Sequence, residues 1–297
     1  MGQTQSNNHG GNHAIKNEET ALFADDPLLV ADYEKRKQVC MGSADDKQLY
    51  YTVAEYRNDN RVTVKVVCIR DDMLCGGTKS RITKAYFDTI GAQYTTFVYS
   101  TTAFGGAQIA IALECRARGK KFIVFTDNYG AYAKIAANIG AVIMMSADPH
   151  NAAIKYAKDN NSNTFLLPNG LRTPANVDLI KQHANRMRNT LRGFIRDKNS
   201  DKFDECICAV ESGALITGLY EAAIAKEYYG VCVFGKAYNS PPVNYIIPDM
   251  PFEQPYKQGQ EPPFVSASRY DAKIWEYAMQ HVNAATKPKV ILAWFVM

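Results

Sequence analysis

Histidine is scarce in this chain, with five residues among 297. His9 and His13 lie in a polar amino-terminal tail, and the other three are widely separated in the sequence. A histidine-based metal centre or a Ser-His-Asp triad needs several such side chains in register with carboxylates or thiols. The sequence therefore predicts no metal site and directs attention to other nucleophiles.

The Cys-x-x-Cys motif is also lacking, and the number of cysteines, seven, is odd. Several lie in apolar, strand-like runs, which is typical of buried thiols in a reducing compartment. We therefore expect a cytoplasmic protein. Cys75 directly precedes Gly76-Gly77, where it either packs the loop or faces a ligand held there.

Long apolar runs are missing as well, since no stretch reaches the ~18 uninterrupted apolar residues that a membrane span requires. Met1-Gly2 fits a myristoylation pattern formally, but residues 1–20 are rich in Asn, Gly, Gln and His and are predicted to be disordered. The net charge of +4 is spread along the chain. The densest basic stretch, 181–198, has helical spacing and favours a solvated helix face over a nucleic-acid contact.

Alternating apolar runs at 48–56 and 62–69, separated by Arg57-Asn58-Asp59-Asn60, predict a β-hairpin. Strand-like and helix-like segments then alternate. Strands are predicted at 94–99, 121–125, 141–145, 164–167, 206–210 and 231–234, and helices at 107–118, 129–139, 150–158, 175–195 and 215–229. This alternation indicates an α/β fold with mainly parallel sheets and crossover helices.

The last third of the chain carries weaker signals. Residues 248–263 are predicted to form an irregular segment, which is either a lid or dimer contact or a plain connector. Residues 270–282 are predicted to form a helix with His281 packed on its apolar face.

Three glycine-rich turns follow predicted strands, at the edge where α/β proteins bind ligands. They are Gly76-Gly77, Phe104-Gly105-Gly106 and Ser212-Gly213-Ala214. The third opens a helix, whose free N–H groups and dipole suit a phosphate. An ordinary tight strand-to-helix turn explains the same residues equally well.

Lys79 follows the first of these turns and begins a helix, an arrangement that suggests a Schiff-base nucleophile. A lysine amine attacks a carbonyl only when unprotonated, so it needs burial or cationic neighbours, and Arg70 and Arg81 are near in sequence. The alternative is a common helix entry, with Thr78 as N-cap and Lys79 solvated.

Three features follow one another along the chain: a Gly-Gly-x-Lys-x-Arg loop, a Ser/Thr- and Gly-rich loop before a helix, and a strand followed by a Ser-Gly-rich loop and a helix. This order resembles that of the pyridoxal-phosphate enzymes of fold type II. The resemblance covers roughly 62–234. Within that superfamily, the run from Arg70-Asp71-Asp72 to Lys79-Ser80-Arg81 is most similar to the aminocyclopropane-carboxylate deaminase and D-cysteine desulfhydrase branch. The resemblance implies two lobes, each a mainly parallel sheet with crossover helices. Residues 21–93 and 167–297 would form the large cofactor-binding lobe and 94–166 a small mobile lobe.

The resemblance also implies roles for individual residues. Lys79 would carry pyridoxal 5′-phosphate as an aldimine, and Asp71, Asp72 and Arg81 would support it. The remaining assignments are cofactor contacts at Gly105, Gly106, Ser212, Gly213, Ala214 and Thr217, and substrate carboxylate contacts at Thr101 and Thr102. Three departures stand out: glycine replaces the asparagine expected near the ring hydroxyl, Glu211 adds a negative charge beside the phosphate loop, and the chain ends in a strand-like run at 290–297 where relatives carry the group facing the ring nitrogen.

The implied activity is a lyase or deaminase acting on an amino acid or amino-acid-like amine, in a homodimer. Which α-carbon bond breaks depends on the bond held perpendicular to the ring, and the sequence leaves it open. A variant is a phage-type enzyme that modifies an amino-acylated nucleobase in DNA, with a basic face at Arg186, Arg188, Arg192 and Arg196. Two other hypotheses stay open: a phosphoribosyltransferase-like loop, in which Asp71 and Asp72 bind ribose hydroxyls, and a non-catalytic protein with the same fold.

Overall fold

In a computed structural model, the structure describes residues 34, 35, 38, 49–102, 105–160, 162–197, 199–235, 241–252, 254–256, 259 and 261–296. The predicted amino-terminal tail, 1–20, lies outside this part of the chain. None of the helices within the described ranges is long and apolar enough to cross a membrane.

The chain forms two sheets flanked by helices. Its strands are β1 (Tyr51–Arg57), β2 (Thr63–Arg70), β3 (Thr96–Thr101), β4 (Lys121–Thr126), β5 (Val142–Met145), β6 (Thr164–Leu166), β7 (Phe203–Ala209), β8 (Ala225–Val231), β9 (Asn244–Ile246) and β10 (Lys289–Phe295). Its helices are α1 (Ser80–Ile90), α2 (Ala107–Ala117), α3 (Ala131–Ile139), α4 (Pro149–Asp159), α5 (Pro174–Thr190), α6 (Ala214–Glu221) and α7 (Ala272–Asn283).

The larger sheet has six strands in the order β1-β2-β10-β7-β8-β9. β1 and β2 form the predicted antiparallel hairpin, with Tyr51 opposite Ile69, and the other neighbours are parallel. The smaller sheet has four parallel strands in the order β5-β4-β3-β6, all within 94–166. The predicted α/β fold of two mainly parallel lobes is confirmed.

β10 forms the centre of the larger sheet and is buried on both faces. Its alternate residues point to opposite sides, as the two-residue period of a strand requires. Val290, Leu292 and Trp294 join the apolar cluster under α5 and α6, whereas Ile291, Ala293 and Phe295 join the cluster under α7. A strand covered on both faces reads as a continuous apolar run, which explains the composition of 290–296.

The predicted helix over 215–229 is wrong in its second half. α6 ends at Glu221, Ala223 has a φ of +51°, and residues 225–231 form β8, which pairs with β7. Tyr228, Gly230 and Val231 of this strand are buried, so pairing and burial outweigh the helix-forming character of Ala225 and Lys226. The strand predicted at 231–234 therefore ends where it was expected to begin. Similarly, α5 ends at Thr190, and a short 3-10 turn at Arg192–Phe194 replaces its predicted last turn.

Cys68, Cys115, Cys206, Cys208 and Cys232 are free and buried, as predicted. Cys75 differs, because it is disulfide-bonded, which neither of the two interpretations given for it predicted. His281 packs against the ring of Tyr229 at 4.3 Å, and its Nδ1 lies 2.9 Å from a Glu205 carboxylate oxygen.

Candidate active site

The Lys79 loop connects β2 to α1 through two short 3-10 turns, Asp71–Met73 and Gly77–Lys79. Both glycines of the pair are required by the geometry. A Cβ atom at Gly76 would lie 2.4 Å from the Cβ of Ala110 on α2, and Gly77 has a φ of +61°. The loop can therefore pack this closely on α2 only with glycine at both positions.

Asp71 fixes this loop to the centre of the larger sheet. Its buried carboxylate lies 2.6 Å from Nη2 of Arg81, and it accepts hydrogen bonds from Thr78 Oγ1 at 2.8 Å and Trp294 Nε1 at 3.0 Å. Thr78 therefore serves Asp71 and is not the N-cap of α1, as the alternative interpretation required. The supporting role implied for Asp71 and Arg81 takes the form of a buried ion pair behind Lys79.

Asp72 is likewise paired within the protein. It accepts hydrogen bonds from Nε and Nη2 of Arg70 at 2.8 and 2.9 Å, and it also contacts Lys35. The Arg70 guanidinium in turn lies over the ring of Phe264, 3.4 Å from its centroid. Since Asp71 and Asp72 are both buried in ion pairs, they are not presented as ligands for ribose hydroxyls, and the structure gives the phosphoribosyltransferase hypothesis no support.

Lys79 projects into a cleft between the two sheets. Its Nζ donates a hydrogen bond to the Gly170 carbonyl, in the turn that follows β6. Burial lowers the pKa of Lys79 to about 8, although the nearby Glu211 carboxylate opposes this shift. Roughly a tenth of Lys79 is then unprotonated at pH 7, far more than for a solvated lysine. The Lys79 amine is thus half-buried in the cleft, hydrogen-bonded to Gly170 and lowered in pKa.

Gly170 connects the small sheet with the loops of the large one. Its amide donates a hydrogen bond of 3.0 Å to the hydroxyl of Tyr99 on β3, while its carbonyl receives Lys79. Gly170 has a φ of +59°, and a Cβ atom there would lie 2.2 Å from the Cβ of Ser212. The sequence analysis missed this turn, although Pro168-Asn169-Gly170 directly after a predicted strand was an available signal.

The Ser212 loop leads from β7 into α6. Gly213 occupies the N-cap position with a φ of +77°, and no side chain caps the helix. Within the described part of the chain, the amides of Gly213, Ala214 and Leu215 donate no backbone hydrogen bond. Free amides at a helix start bind anions. Nη1 of Arg172 lies 3.1 Å from the Ser212 carbonyl and brings a positive charge to the same loop.

The Gly105-Gly106 turn closes the cleft from the small lobe. A Cβ atom at Gly105 would lie 1.8 Å from Oγ1 of Thr101, and the buried Gln108 donates a hydrogen bond of 2.8 Å to the Gly105 carbonyl. An asparagine therefore does not fit at position 105 in this backbone. Glycine at position 105 is thus required by the packing of this turn.

The cleft brings together most, but not all, of the predicted site residues. Its lining includes Lys79, Gly105, Gly106, Ser212 and Gly213, and also residues that the sequence analysis did not assign to the site: Tyr99, Gly170, Glu211, Tyr270 and Val296. Thr101, Thr102, Ala214 and Thr217 do not line it. The Thr217 hydroxyl bonds to the Gly213 carbonyl at 2.7 Å, and that of Thr101 to the Thr102 carbonyl at 3.2 Å. The roles of these four residues remain predictions.

The carboxyl end of β10 forms one wall of the cleft. The amide of Val296 donates to Asp271 Oδ2 at 2.8 Å, and its carbonyl accepts a hydrogen bond of 3.1 Å from the amide of Thr78. Val296 and Tyr270 thus lie beside the Lys79 loop.

Two mainly parallel sheets with one cleft between them form a fold that occurs among solved structures. No family model and no curated protein matches the sequence. Among solved structures, an aminocyclopropane-carboxylate (ACC) deaminase homologue superposes with a TM-score of 0.66 at 14% identity, over 88% of this chain and 94% of that one. O-ureido-L-serine synthase gives 0.60 at 13% identity, over 83% and 88% of the two chains. A hydrogen sulfide-producing enzyme from Fusobacterium nucleatum gives 0.61 at 11% identity, over 89% and 88%. This chain shares their fold.

Proposed function

We propose that this chain is a pyridoxal-phosphate-dependent enzyme that acts through Lys79 on an amino acid or an amino-acid-like amine. One observation carries the proposal: an enclosed lysine amine, with its pKa lowered to about 8, faces the uncapped start of α6 across one cleft. A carbonyl to attack and a phosphate to bind are what these two features accept.

The residues of the cleft fit this cofactor with one exception. The amides of Gly213, Ala214 and Leu215 would hold the phosphate, Arg172 would add positive charge, and the glycines at 105 and 106 would leave space for a flat ring. The bound cofactor would supply an electron sink for breaking a bond at the substrate α carbon. The exception is Glu211, whose carboxylate shares the cleft with the predicted phosphate loop.

Lys79 would also transfer the proton. A primary amine with a pKa near neutrality both accepts and returns a proton efficiently, and the Gly170 carbonyl orients Nζ by accepting its hydrogen bond. Tyr99 holds the Gly170 amide and thereby fixes the carbonyl that orients Lys79. Of the reactions open to such a site, elimination or deamination is the one we propose, because the superposed structures include an ACC deaminase homologue and a hydrogen sulfide-producing enzyme.

Assembly as a homodimer is a further proposal, supported by the resemblance. A cytoplasmic location is also a proposal, supported by the five free buried thiols, whereas the disulfide at Cys75 counts against it. The variant that acts on a DNA nucleobase has weaker support. Arg192 is paired with Asp201 at 2.9 Å, Arg188 reaches the Ala222 carbonyl at 3.4 Å, and Arg196 contacts the Pro288 carbonyl. These intramolecular contacts leave less of the basic face available to phosphates.

A cofactor-fold protein without catalysis is the second candidate, because Glu211 opposes phosphate binding. One experiment distinguishes the enzyme from the non-catalytic binding protein. The purified chain is incubated with pyridoxal phosphate and reduced with borohydride, and the modified peptide is identified by mass spectrometry. We expect a visible absorbance band and a reduced adduct on Lys79. Lys79→Ala should lose both, while Lys84→Ala, an exposed lysine on the same helix, should keep both. An adduct on Lys79 with no turnover of any amino acid would favour the binding protein, and no adduct on Lys79 would refute the proposal.

A further inference from the structure

Glu211 is a carboxylate in the cleft to which none of the described residues donates a hydrogen bond. It follows β7 directly and lines the cleft beside Ser212 and Gly213. Among the described residues, no hydrogen bond or ion pair to its carboxylate is found, whereas Asp71, Asp72 and Glu205 are all paired. A half-buried carboxylate that gains no hydrogen bond from the described residues loses part of its hydration, so Glu211 calls for an explanation.

Three titratable side chains line the cleft together with Glu211: Lys79, Tyr99 on β3, and Tyr270 just before α7. Arg172 lies outside this lining, at the neighbouring Ser212 carbonyl. Burial raises the pKa of Glu211, and the positive charge of Lys79 partly offsets this effect. The negative charge of Glu211 in turn opposes the lowering of the Lys79 pKa by burial, and it adds to the raising of the Tyr99 pKa by burial. The carboxylate is therefore electrically coupled to the amine that the proposed function makes the nucleophile.

This coupling changes when Lys79 reacts. The amine must lose its proton before it attacks a carbonyl, so Glu211 loses the positive charge that offsets it. A phosphate dianion at the start of α6 then brings two like charges toward the same carboxylate. The repulsion disappears only if Glu211 is protonated or if the ligand carries no phosphate.

We propose that Glu211 is the specificity determinant at the phosphate end of this cleft, selecting against a phosphate dianion unless the carboxylate takes up a proton. This inference rests on the proposed function. It predicts that pyridoxal phosphate binds with uptake of a proton by Glu211, so its affinity falls as pH rises and the carboxylate ionises. Pyridoxal, which reacts with the same amine and lacks the phosphate, should not show this loss.

The test compares dissociation constants of pyridoxal phosphate and pyridoxal by equilibrium dialysis, between about pH 5.5 and 8.5. Both aldehydes need deprotonated Lys79, so the ratio of the two constants cancels that requirement. The phosphate itself ionises with a second pKa of about 6, and this contribution is the same in every variant. Glu211→Gln removes the carboxylate charge, and Glu221→Gln, at the exposed end of α6, is the matched control.

We expect Glu211→Gln to bind pyridoxal phosphate about tenfold more tightly than wild type at the upper end of this range, with little change for pyridoxal. Glu221→Gln should behave as wild type. If Glu211→Gln proves unstable by circular dichroism, Glu211→Gly tests the same charge. Equal ratios in wild type and the Glu211 variants, with both aldehydes still attached to Lys79, would overturn this inference and leave the proposed function standing. Attachment of neither aldehyde to Lys79 would overturn both.

Discussion

The hydroxyl of Tyr99 accepts a hydrogen bond of 3.0 Å from the amide of Gly170, whose carbonyl accepts one from Lys79. One peptide turn therefore connects a strand of the small sheet to the candidate nucleophile of the large lobe. The contacts span 71 and 91 residues of sequence, respectively. The position of the Lys79 amine thus depends on how the two lobes meet.

Tyr99→Phe should weaken this connection. It removes the acceptor of a buried amide, and an unsatisfied buried donor costs about 1 to 3 kcal/mol. We expect a loss of this size in the free energy of unfolding, measured by urea titration, together with slower borohydride-trapped attachment of pyridoxal at Lys79. Tyr220→Phe, in which an exposed tyrosine loses its hydroxyl, is the control and should change neither quantity. An unchanged stability for Tyr99→Phe would show that the Gly170 amide finds another acceptor.

Gly170→Ala should disrupt the site more severely than backbone strain alone explains. A left-handed φ costs an alanine roughly 1 to 2 kcal/mol, and the new Cβ would also lie 2.2 Å from the Cβ of Ser212. Gly119→Ala isolates the strain, because Gly119 has nearly the same φ, +62°, with nothing within 4 Å of the added Cβ. We expect Gly119→Ala to lose only the strain energy and to keep cofactor attachment. Gly170→Ala should lose more stability and most attachment, as measured by urea titration and peptide mapping. Similar results for both variants would argue against a tight contact between Gly170 and Ser212.

Local signals in the sequence were sufficient to predict the hairpin, the alternation of strands and helices and the position of Lys79 at a glycine turn. Each depends on residues that are close in the chain, such as the apolar period of 62–69 or Gly76-Gly77 before a helix. The start of β8 was not predicted, because residues 222–229 are compatible with a helix. The positive φ of Ala223 ends the helical conformation, and pairing with β7 makes residues 225–231 a strand.

Local sequence signals also predicted part of the site. Lys79, Gly105, Gly106, Ser212 and Gly213 lie in turns with their own sequence signals, and the structure brings them to one cleft. Tyr99 and Gly170 acquire their roles from contacts between lobes, which no local pattern specifies. Likewise, the departure at Glu211 was visible in the sequence, but only the structure places its carboxylate inside the cleft.

Asp71→Ala should destabilise the whole protein. It removes the buried carboxylate that pairs with Arg81, whose side chain is only 2% exposed, and it deprives Thr78 and Trp294 of their acceptor. Breaking a buried ion pair on one side typically costs about 3 to 5 kcal/mol. Asp88→Ala is the control, since it removes the exposed partner of Arg118 and should cost no more than about 1 kcal/mol. Urea titration of both variants measures the difference, and equal losses would contradict a buried anchoring role for Asp71.

The reactivity of Lys79 should rise with pH through a midpoint near 8, because its amine is nucleophilic only when deprotonated. Labelling with a limiting amount of an amine-directed reagent, followed by peptide mapping, measures this midpoint, with the exposed Lys84 as internal control. Glu211→Gln should move the midpoint of Lys79 lower, because the carboxylate stabilises the ammonium form. The lowered pKa of Lys79 also makes the free energy of unfolding depend on pH. Between pH values of about 8 and 10.5 the folded chain binds fewer protons at Lys79 than the unfolded chain, so this group makes the fold more stable as pH rises across that interval. Labelling of Lys79 with the same pH profile as Lys84 would contradict an enclosed amine and would remove the main physical basis of the proposed chemistry.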